Sequence, residues 1–491
     1  MMKEVKIKID DKEVTVPANW TVIKACHQNG VDVPHYCYHP DLSIAGNCRI
    51  CMVGVKGMPR PVVACAQPVA EGMEVSTQGK DVEEARKSVM EFLLINHPLD
   101  CPECDQAGEC RLQNYSYTYG RDHGRFQEEK VVKSKATMGP HVKYWGSRCI
   151  VCTRCVRFTD EVSGTGELGV IYRGDKSEIA LFPGKTLDNP LSMNTVDICP
   201  VGALVSSDFL YQTRVWNLHS RPSVCADCAV GCNTRVDMDA KGTIKRIVPR
   251  RNDQVNKEWM CDYGRLGFPY VHENRLMKPM VDGRDVPWKE ARSAALDLLA
   301  KPGATLLVSA WNSNEALTAA KELSAVLPGA RLHAYANPGR ADEVFPGFTI
   351  SGDKNPNRAG LREVLGIDDP EASLGSLAAG NGPLGCVLVV NNIPGYVPTP
   401  TMKGVLDRAE SVVLMDFSKG ELLRYGNVAV ALPTLTTYEK SGTFVNRTGV
   451  HQKFLPVMEP VSFGRHEVEM FHELARESKA AATRSQAEAR A

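Results

Sequence analysis

Residues 36–55 read YCYHPDLSIAGNCRICMVGV, and with Cys65 in VVACAQ they place Cys37, Cys48, Cys51 and Cys65 at the spacing C-x10-C-x2-C-x13-C. Ahead of this stretch, VKIKID and EVTV alternate apolar and polar residues on either side of Asp10 and Asp11, and the helical TVIKACHQNG stops at Gly30. The cysteines thus follow a strand, strand, helix frame. Sixteen of the seventeen cysteines precede position 262, and the remaining 230 residues hold only Cys386. In a chain of 491 residues, crowding of this kind points to metal ligation more than to disulfides.

A long loop, a tight C-x-x-C and a distant fourth cysteine form the pattern by which plant-type ferredoxins hold a 2Fe-2S cluster, although the first gap here is longer than their C-x4-C. Gly46 allows the loop to fold closely around inorganic sulfide. Zinc is the rival, but zinc ribbons pair two C-x-x-C knuckles and this set has one.

Three further sets follow. HPLDCPECDQAGEC, residues 97–110, spaces His97, Cys101, Cys104 and Cys110 as H-x3-C-x2-C-x5-C. The preceding DVEEARKSVMEFLLIN puts Val82, Ala85, Val89 and Leu93 on one helical face and ends just before His97. A histidine there is ordinarily a helix cap, but three cysteines in the next thirteen residues favour a ligand. RCIVCTRCVRF holds Cys149, Cys152 and Cys155, completed by Cys199 in DICPVGAL, and C-x2-C-x2-C with a remote C-P is a 4Fe-4S signature. Arg148, Arg154 and Arg157 would offset the negative charge of such a cluster; a solvated basic face is the alternative for each taken singly. SVCADCAVGCNTRV and WMCDYGR give Cys225, Cys228, Cys232 and Cys261 at C-x2-C-x3-C-x28-C, a spacing that leaves both iron and zinc open. Cys26 and Cys386 lie in apolar contexts and read as small buried hydrophobes.

Composition narrows the function classes. The chain is 43% apolar and 24% charged, with 58 basic residues against 58 acidic ones, so no bulk field draws it to nucleic acid or anionic lipid. No run of about 18 apolar residues occurs and MMKEVKIKID is not a secretory start, so a soluble, cytosolic chain is expected. After HENRLMKPM the texture becomes alternating α/β: WKEARSAALDLLA and NSNEALTAAKELSAVL are helical, whereas ATLLVSA, CVLVV and SVVLMDF are strands. GTGELG, residues 164–169, fits a dinucleotide fingerprint but leads into the strand-like VIYRG instead of a helix, so no nicotinamide or flavin site is expected from it.

The four sets in this order resemble the large iron-sulfur subunit family of NADH:quinone oxidoreductase (complex I), which comprises the bacterial G-type subunit and the mitochondrial 75 kDa subunit. LVSAWNSNEALTAAKELSAV and LPTLTTYEKSGTFVNRTGVHQ are similar to segments of that family's molybdopterin-oxidoreductase-like region. The resemblance implies one 2Fe-2S cluster on Cys37, Cys48, Cys51 and Cys65. It implies three 4Fe-4S clusters: on His97, Cys101, Cys104 and Cys110; on Cys149, Cys152, Cys155 and Cys199; and on Cys225, Cys228, Cys232 and Cys261.

The implied fold class is α+β followed by α/β: a β-grasp 2Fe-2S ferredoxin-like domain over 1–80, a His(Cys)3 4Fe-4S domain over 81–120 and a ferredoxin-like 4Fe-4S domain over 121–217. A 4Fe-4S domain of the molybdopterin-oxidoreductase type follows over 218–274, then a truncated molybdopterin-oxidoreductase-like α/β region over 275–475 and a polar tail over 476–491. No molybdopterin is expected, because PGARLHAYANPGRADE offers no cysteine for the metal. The implied function is an electron relay with no catalytic residues. Its implied partners are a flavin-bearing NADH-oxidising subunit, a 4Fe-4S quinone-side subunit and other peripheral-arm subunits. Membrane contact would come only through partners, at the cytoplasmic face of the inner membrane. The alternatives are a relay in a soluble hydrogenase or formate dehydrogenase assembly, and a zinc-stapled scaffold.

Overall fold

A computed structural model describes residues 3–488. The chain divides into two compact units, one built from residues up to 218 with 345–348, the other from 219–344 and 349 onward.

The first unit opens with strands β1 (Glu4–Ile9) and β2 (Lys12–Pro17), antiparallel partners across Asp10 and Asp11. Both turn residues are left-handed, at φ 45° and 69°, the conformation a two-residue hairpin needs to match the strand twist. Val5, Ile7 and Ile9 alternate inward as the sequence pattern requires. Helix α1 (Val22–Gln28) buries Val22, Ile23, Ala25 and Cys26 against the same core. Strands β3 (Met52–Val55), β4 (Val62–Val63) and β5 (Glu74–Ser76) complete a mixed sheet of order β2-β1-β5-β3-β4, with β5 parallel to β1.

Helix α2 (Lys80–Leu94) follows, and its buried face differs from the expected one. Val82, Arg86 and Met90 are buried, while Ala85, Val89 and Leu93 are half-buried. Arg86 can enter because its stem packs while its guanidinium donates to the Met52 carbonyl (2.8 Å) and lies over the Tyr119 ring. Helix α3 (Arg111–Tyr119), the sheet of β6 (Lys135–Thr137), β7 (Val142–Trp145) and β10 (Leu204–Ser206), helix α4 (Arg154–Glu161), the hairpin β8 (Leu168–Ile171) with β9 (Glu178–Leu181), and the short α5 (Asn194–Asp197) finish this unit. The GTGELG stretch leads from α4 into β8 and opens no helix.

The second unit begins with an antiparallel sheet of β11 (His219–Val224), β12 (Asn233–Met238) and β13 (Ile244–Pro249), then α6 (Asp262–Leu266). Its larger part is a seven-stranded sheet. Strands β16 (Thr305–Ser309), β17 (Arg331–Tyr335), β20 (Leu384–Asn391), β21 (Ala409–Asp416) and β22 (Val428–Pro433) run parallel, and β14 (Met280–Val281) with β15 (Arg284–Asp285) forms an antiparallel edge. Two hairpins, β18 (Glu343–Val344) with β19 (Thr349–Ile350) and β23 (Gly442–Val445) with β24 (His451–Phe454), lie outside it.

Helices cover both faces of this sheet, so its strands are continuous apolar runs. Along β20, Cys386, Leu388 and Val390 join α7 (Trp288–Leu299), α8 (Asn314–Val326), α9 (Arg358–Leu365) and α12 (Glu467–Glu488) in one core. Val387 and Val389 join α10 (Pro370–Ala378) and α11 (Pro400–Asp407) on the other side. The expected boundary at 475/476 falls inside α12, because Met470, Phe471 and Leu474 anchor a helix that simply continues. Among the described residues, no helix is long and apolar enough to cross a membrane.

Candidate metal centres

The first four cysteines lie between α1 and the sheet edge, all buried. Gly46 and Arg49 are left-handed, at φ 62° and 61°, which curls the loop about Cys48 and Cys51. The sulfurs exchange hydrogen bonds in the order Cys48, Cys37, Cys65, Cys51; these bonds favour thiolate at Cys37 and Cys51 and thiol at Cys48 and Cys65.

The second set starts where α2 ends. The His97 amide donates to the Leu94 carbonyl (3.2 Å), and burial pushes its imidazole down to about 4. A neutral ring at neutral pH is the form that can offer a lone pair to a metal. The Cys104 amide donates to the Asp100 carbonyl (2.9 Å), and Cys110 caps the N-terminus of α3. Cys104 and Cys110 are buried and Cys101 is exposed.

In the third set, Val151 and Thr153 alternate with the cysteines at φ 49° and 61°. A β-branched residue is rarely left-handed, and such local strain persists where the surroundings over-determine it. The Val151 amide consequently turns back onto Cys149 Sγ (3.3 Å). Cys149, Cys152, Cys155 and Cys199 line one hollow together with Tyr144, Ile179 and Leu204. Burial lifts Cys149, Cys152 and Cys199 to about 11 and Cys155 higher still, so these thiols resist ionisation without a cation among them.

The fourth set, in the second unit, is buried throughout. Cys225 donates its amide to the Cys232 carbonyl (2.8 Å), and Cys261 caps α6. Residues 439–452 support this loop. Arg447 donates its amide to the Ala229 carbonyl (2.8 Å), and Asn446 Nδ2 donates to the Val230 carbonyl (3.2 Å). Glu439 in the same segment forms a buried two-bond pair with Arg275, at 3.0 and 2.8 Å.

Two glycines test whether these loops suit a bulky group. A Cβ on Gly202 would lie 2.2 Å from Cys104 Sγ, and one on Gly264 would lie 2.6 Å from Cys225 Sγ. Space beside the sulfurs is therefore reserved by the absence of a side chain. Among the described residues of the first unit, the ligand atoms of His27, Asp32 and His35 all lie within 4.8 Å of each other. That histidine group is itself engaged, since His35 Nε2 lies 2.9 Å from Arg111 Nη1. The thiol donor chemistry of the cysteine sets and the space kept beside Cys104 and Cys225 fit iron-sulfur clusters.

Sequence reasoning missed the joints between sets. Arg148 and Arg154 are 2% and 4% exposed, which rules out a solvated basic face for them. Arg154 Nη1 donates to the Ile198 carbonyl (3.1 Å), next to Cys199, and Nη2 donates to the Tyr38 carbonyl, next to Cys37. Arg157 Nη2 donates to the carbonyls of Cys37 (2.6 Å) and Cys152 (3.3 Å). The third set is thereby tied to the first. It also meets the second set: the Pro200 carbonyl accepts from the Arg111 amide (3.3 Å) and faces Cys110 Sγ (4.0 Å), while Gly202 abuts Cys104. Arginines directly beside cysteines were the sequence signal; their partners, more than 40 positions away, were not visible in it.

Four sequence families match the chain. They are described as a 2Fe-2S iron-sulfur cluster binding domain (residues 2–80), the NADH-ubiquinone oxidoreductase-G iron-sulfur binding region (86–125), the ferredoxin-like domain of NADH-quinone oxidoreductase subunit 3 (139–205), and an NDSU1/NuoG-like 4Fe-4S domain (220–268). The iron-sulfur protein 1 of mitochondrial NADH dehydrogenase from Solanum tuberosum is 44% identical over 301 residues, 60% of this chain and 40% of that protein. The NADH-quinone oxidoreductase G-type subunit of Rickettsia conorii is 42% identical over 298 residues, 60% of this chain and 44% of the other. The chain thus spans less than half the length of these relatives. Among solved structures, an NAD+-reducing NiFe-hydrogenase in the H2-reduced state is 27% identical with a TM-score of 0.40, over 43% of this chain and 91% of that one. Over residues 2–268, its iron-sulfur portion, the chain is thus similar to the NADH-quinone oxidoreductase G-type subunit and the mitochondrial 75 kDa iron-sulfur subunit.

Proposed function

We propose that this chain is the electron-transfer subunit of a respiratory NADH:quinone oxidoreductase, relaying electrons from a flavin-bearing NADH-oxidising subunit towards quinone. The observation that carries this reading is the physical continuity of the first, third and second cysteine sets through Arg154, Arg157, Pro200 and Gly202. One 2Fe-2S cluster on the first set and a 4Fe-4S cluster on each of the others, with His97 as a ligand of the second, would supply one-electron carriers when bound.

The chain's own work is to bind, space and insulate. Burial of Cys37, Cys51 and Cys65 keeps water from the entry centre. Arg154 and Arg157 fix the distance between the first and third loops with hydrogen bonds to backbone carbonyls, which do not depend on neighbouring side chains. The second set comes to the surface at Cys101 and at Leu99, which is 90% exposed, a suitable exit towards a quinone-side 4Fe-4S subunit. Membrane contact would be made by partner subunits at the cytoplasmic face. The fourth set, in the other unit, lies off this relay, and the α/β region, whose lone Cys386 is buried in β20, holds no molybdopterin.

The test is metal analysis and electron paramagnetic resonance of the anaerobically purified chain. About 14 iron atoms with matching sulfide, and signals of one 2Fe-2S and three 4Fe-4S clusters, are expected. A colourless protein with stoichiometric zinc would overturn the reading.

A further inference from the structure

Arg148 belongs by sequence to the third cysteine motif, immediately before Cys149, yet its side chain serves another loop. Nε and Nη2 both donate to Asp100 Oδ2, at 2.8 and 2.6 Å, in the turn that carries Cys101 and Cys104. Asp100 is held in turn by its own carbonyl, which accepts from the amides of Glu103 and Cys104 (2.9 Å each). The stem passes close to the second set. The point where a Cβ on Gly202 would sit is 2.2 Å from Cys104 Sγ and 3.8 Å from Arg148 Cδ. The guanidinium lies over the Trp145 ring, 5.2 Å from its centroid.

This leaves Nη1, which is buried and has no hydrogen-bond partner among the described residues. A buried cationic N–H without an acceptor is costly, so native proteins rarely leave one unless a further group completes it.

We propose that Arg148 is a positioning and potential-setting residue of the second centre: its Nη1–H donates to a sulfur of the cluster held by His97, Cys101, Cys104 and Cys110, with Asp100 aiming the fork. The assignment rests on the electron-relay reading above. Reduction adds negative charge to a cluster, so a fixed N–H donor and a cation beside its sulfur stabilise the reduced form and raise the potential. A residue of one motif thereby tunes its neighbour in the relay.

The experiment is redox titration followed by electron paramagnetic resonance on the intact complex carrying Arg148→Met or Arg148→Lys, together with pulsed measurements on wild-type protein labelled with 15N-arginine. Arg148→Met is expected to make reduction of the second cluster about tenfold less favourable, ~59 mV for one electron, with the third cluster moving less. Arg148→Lys keeps the charge without the planar fork and is expected to fall between. In the wild type, the second cluster should couple to an arginine nitrogen, and that coupling should vanish in Arg148→Lys. An unchanged midpoint with all four clusters present, or a shift confined to the third cluster, overturns the assignment of Arg148 alone. So does the absence of arginine coupling in the wild type, which decides the matter even if Arg148→Met fails to assemble. Zinc in place of iron would overturn the relay reading and this assignment together.

Discussion

His97 carries the most chemical information of any single residue here. Burial holds it neutral, and its position just past α2 delivers it to the first turn of the second cysteine loop. A neutral imidazole in place of a thiolate removes one negative charge from a cluster, so His97→Cys is expected to retain a 4Fe-4S cluster at a lower potential. The comparison with histidine-ligated Rieske centres supports the sign, although those are 2Fe-2S clusters. Redox titration of the variant checks this, and an unmoved midpoint would assign the histidine to geometry or proton coupling instead. The spacing of the motif cysteines and His97 is visible in the sequence alone, because the proposed chelation by one loop is a local matter. The roles of Arg148 and Arg154 are not, since burial and remote carbonyl partners are properties of the packed chain.

Among the elements, the loops that carry the sets are shaped by backbone choices of different legibility. Asp10 and Asp11 announced a hairpin, and the left-handed pair confirms why acidic turn residues suit it. Val151 could not have been read as left-handed, because its β-branch argues against that conformation and only the surrounding fold enforces it. Gly202 lies in the loop between α5 and β10 and makes room for a sulfur of a different motif. Gly202→Ala would force its methyl into Cys104 Sγ, so the variant is expected to lose most of the second cluster while keeping the first, seen as a fall of up to about four iron atoms. Equal loss from all centres would mean general misfolding instead of a local clash. Helix α2 teaches the complementary lesson: the apolar pattern was right about a helix and imprecise about its face, because the aliphatic stem of Arg86 buries like a hydrophobe.

For the molecule as a whole, the second unit shows how a parallel sheet brings polar groups into its interior. Asp416, at the end of β21, accepts from Asn391 Nδ2 (2.7 Å) and from the Ser418 amide (2.9 Å) and hydroxyl (3.0 Å), yet burial still lifts its carboxyl to about 7. The folded state therefore keeps a proton that the unfolded chain releases near pH ~3.9. Its contribution is complete below that value and is lost as pH rises through about 7. Stability of the native chain is expected to decline from about pH 5 to about pH 8, and Asp416→Asn should show a smaller decline in denaturant titrations at the two pH values. A parallel decline in both proteins would place the dependence elsewhere.

Local sequence was enough to mark the four proposed ligand sets, the hairpin opening of the first sheet and the apolar strands of the second, because loop spacing and hydrophobic periodicity act over a few neighbouring residues. Tertiary packing alone established that the third set touches both the first and the second, that Arg148 reaches Asp100 rather than solvent, and that α12 continues past residue 475 to Glu488. Those facts depend on which distant segments share a core, and the free energy of burying a guanidinium or a bare glycine beside a sulfur is set by partners no local pattern names.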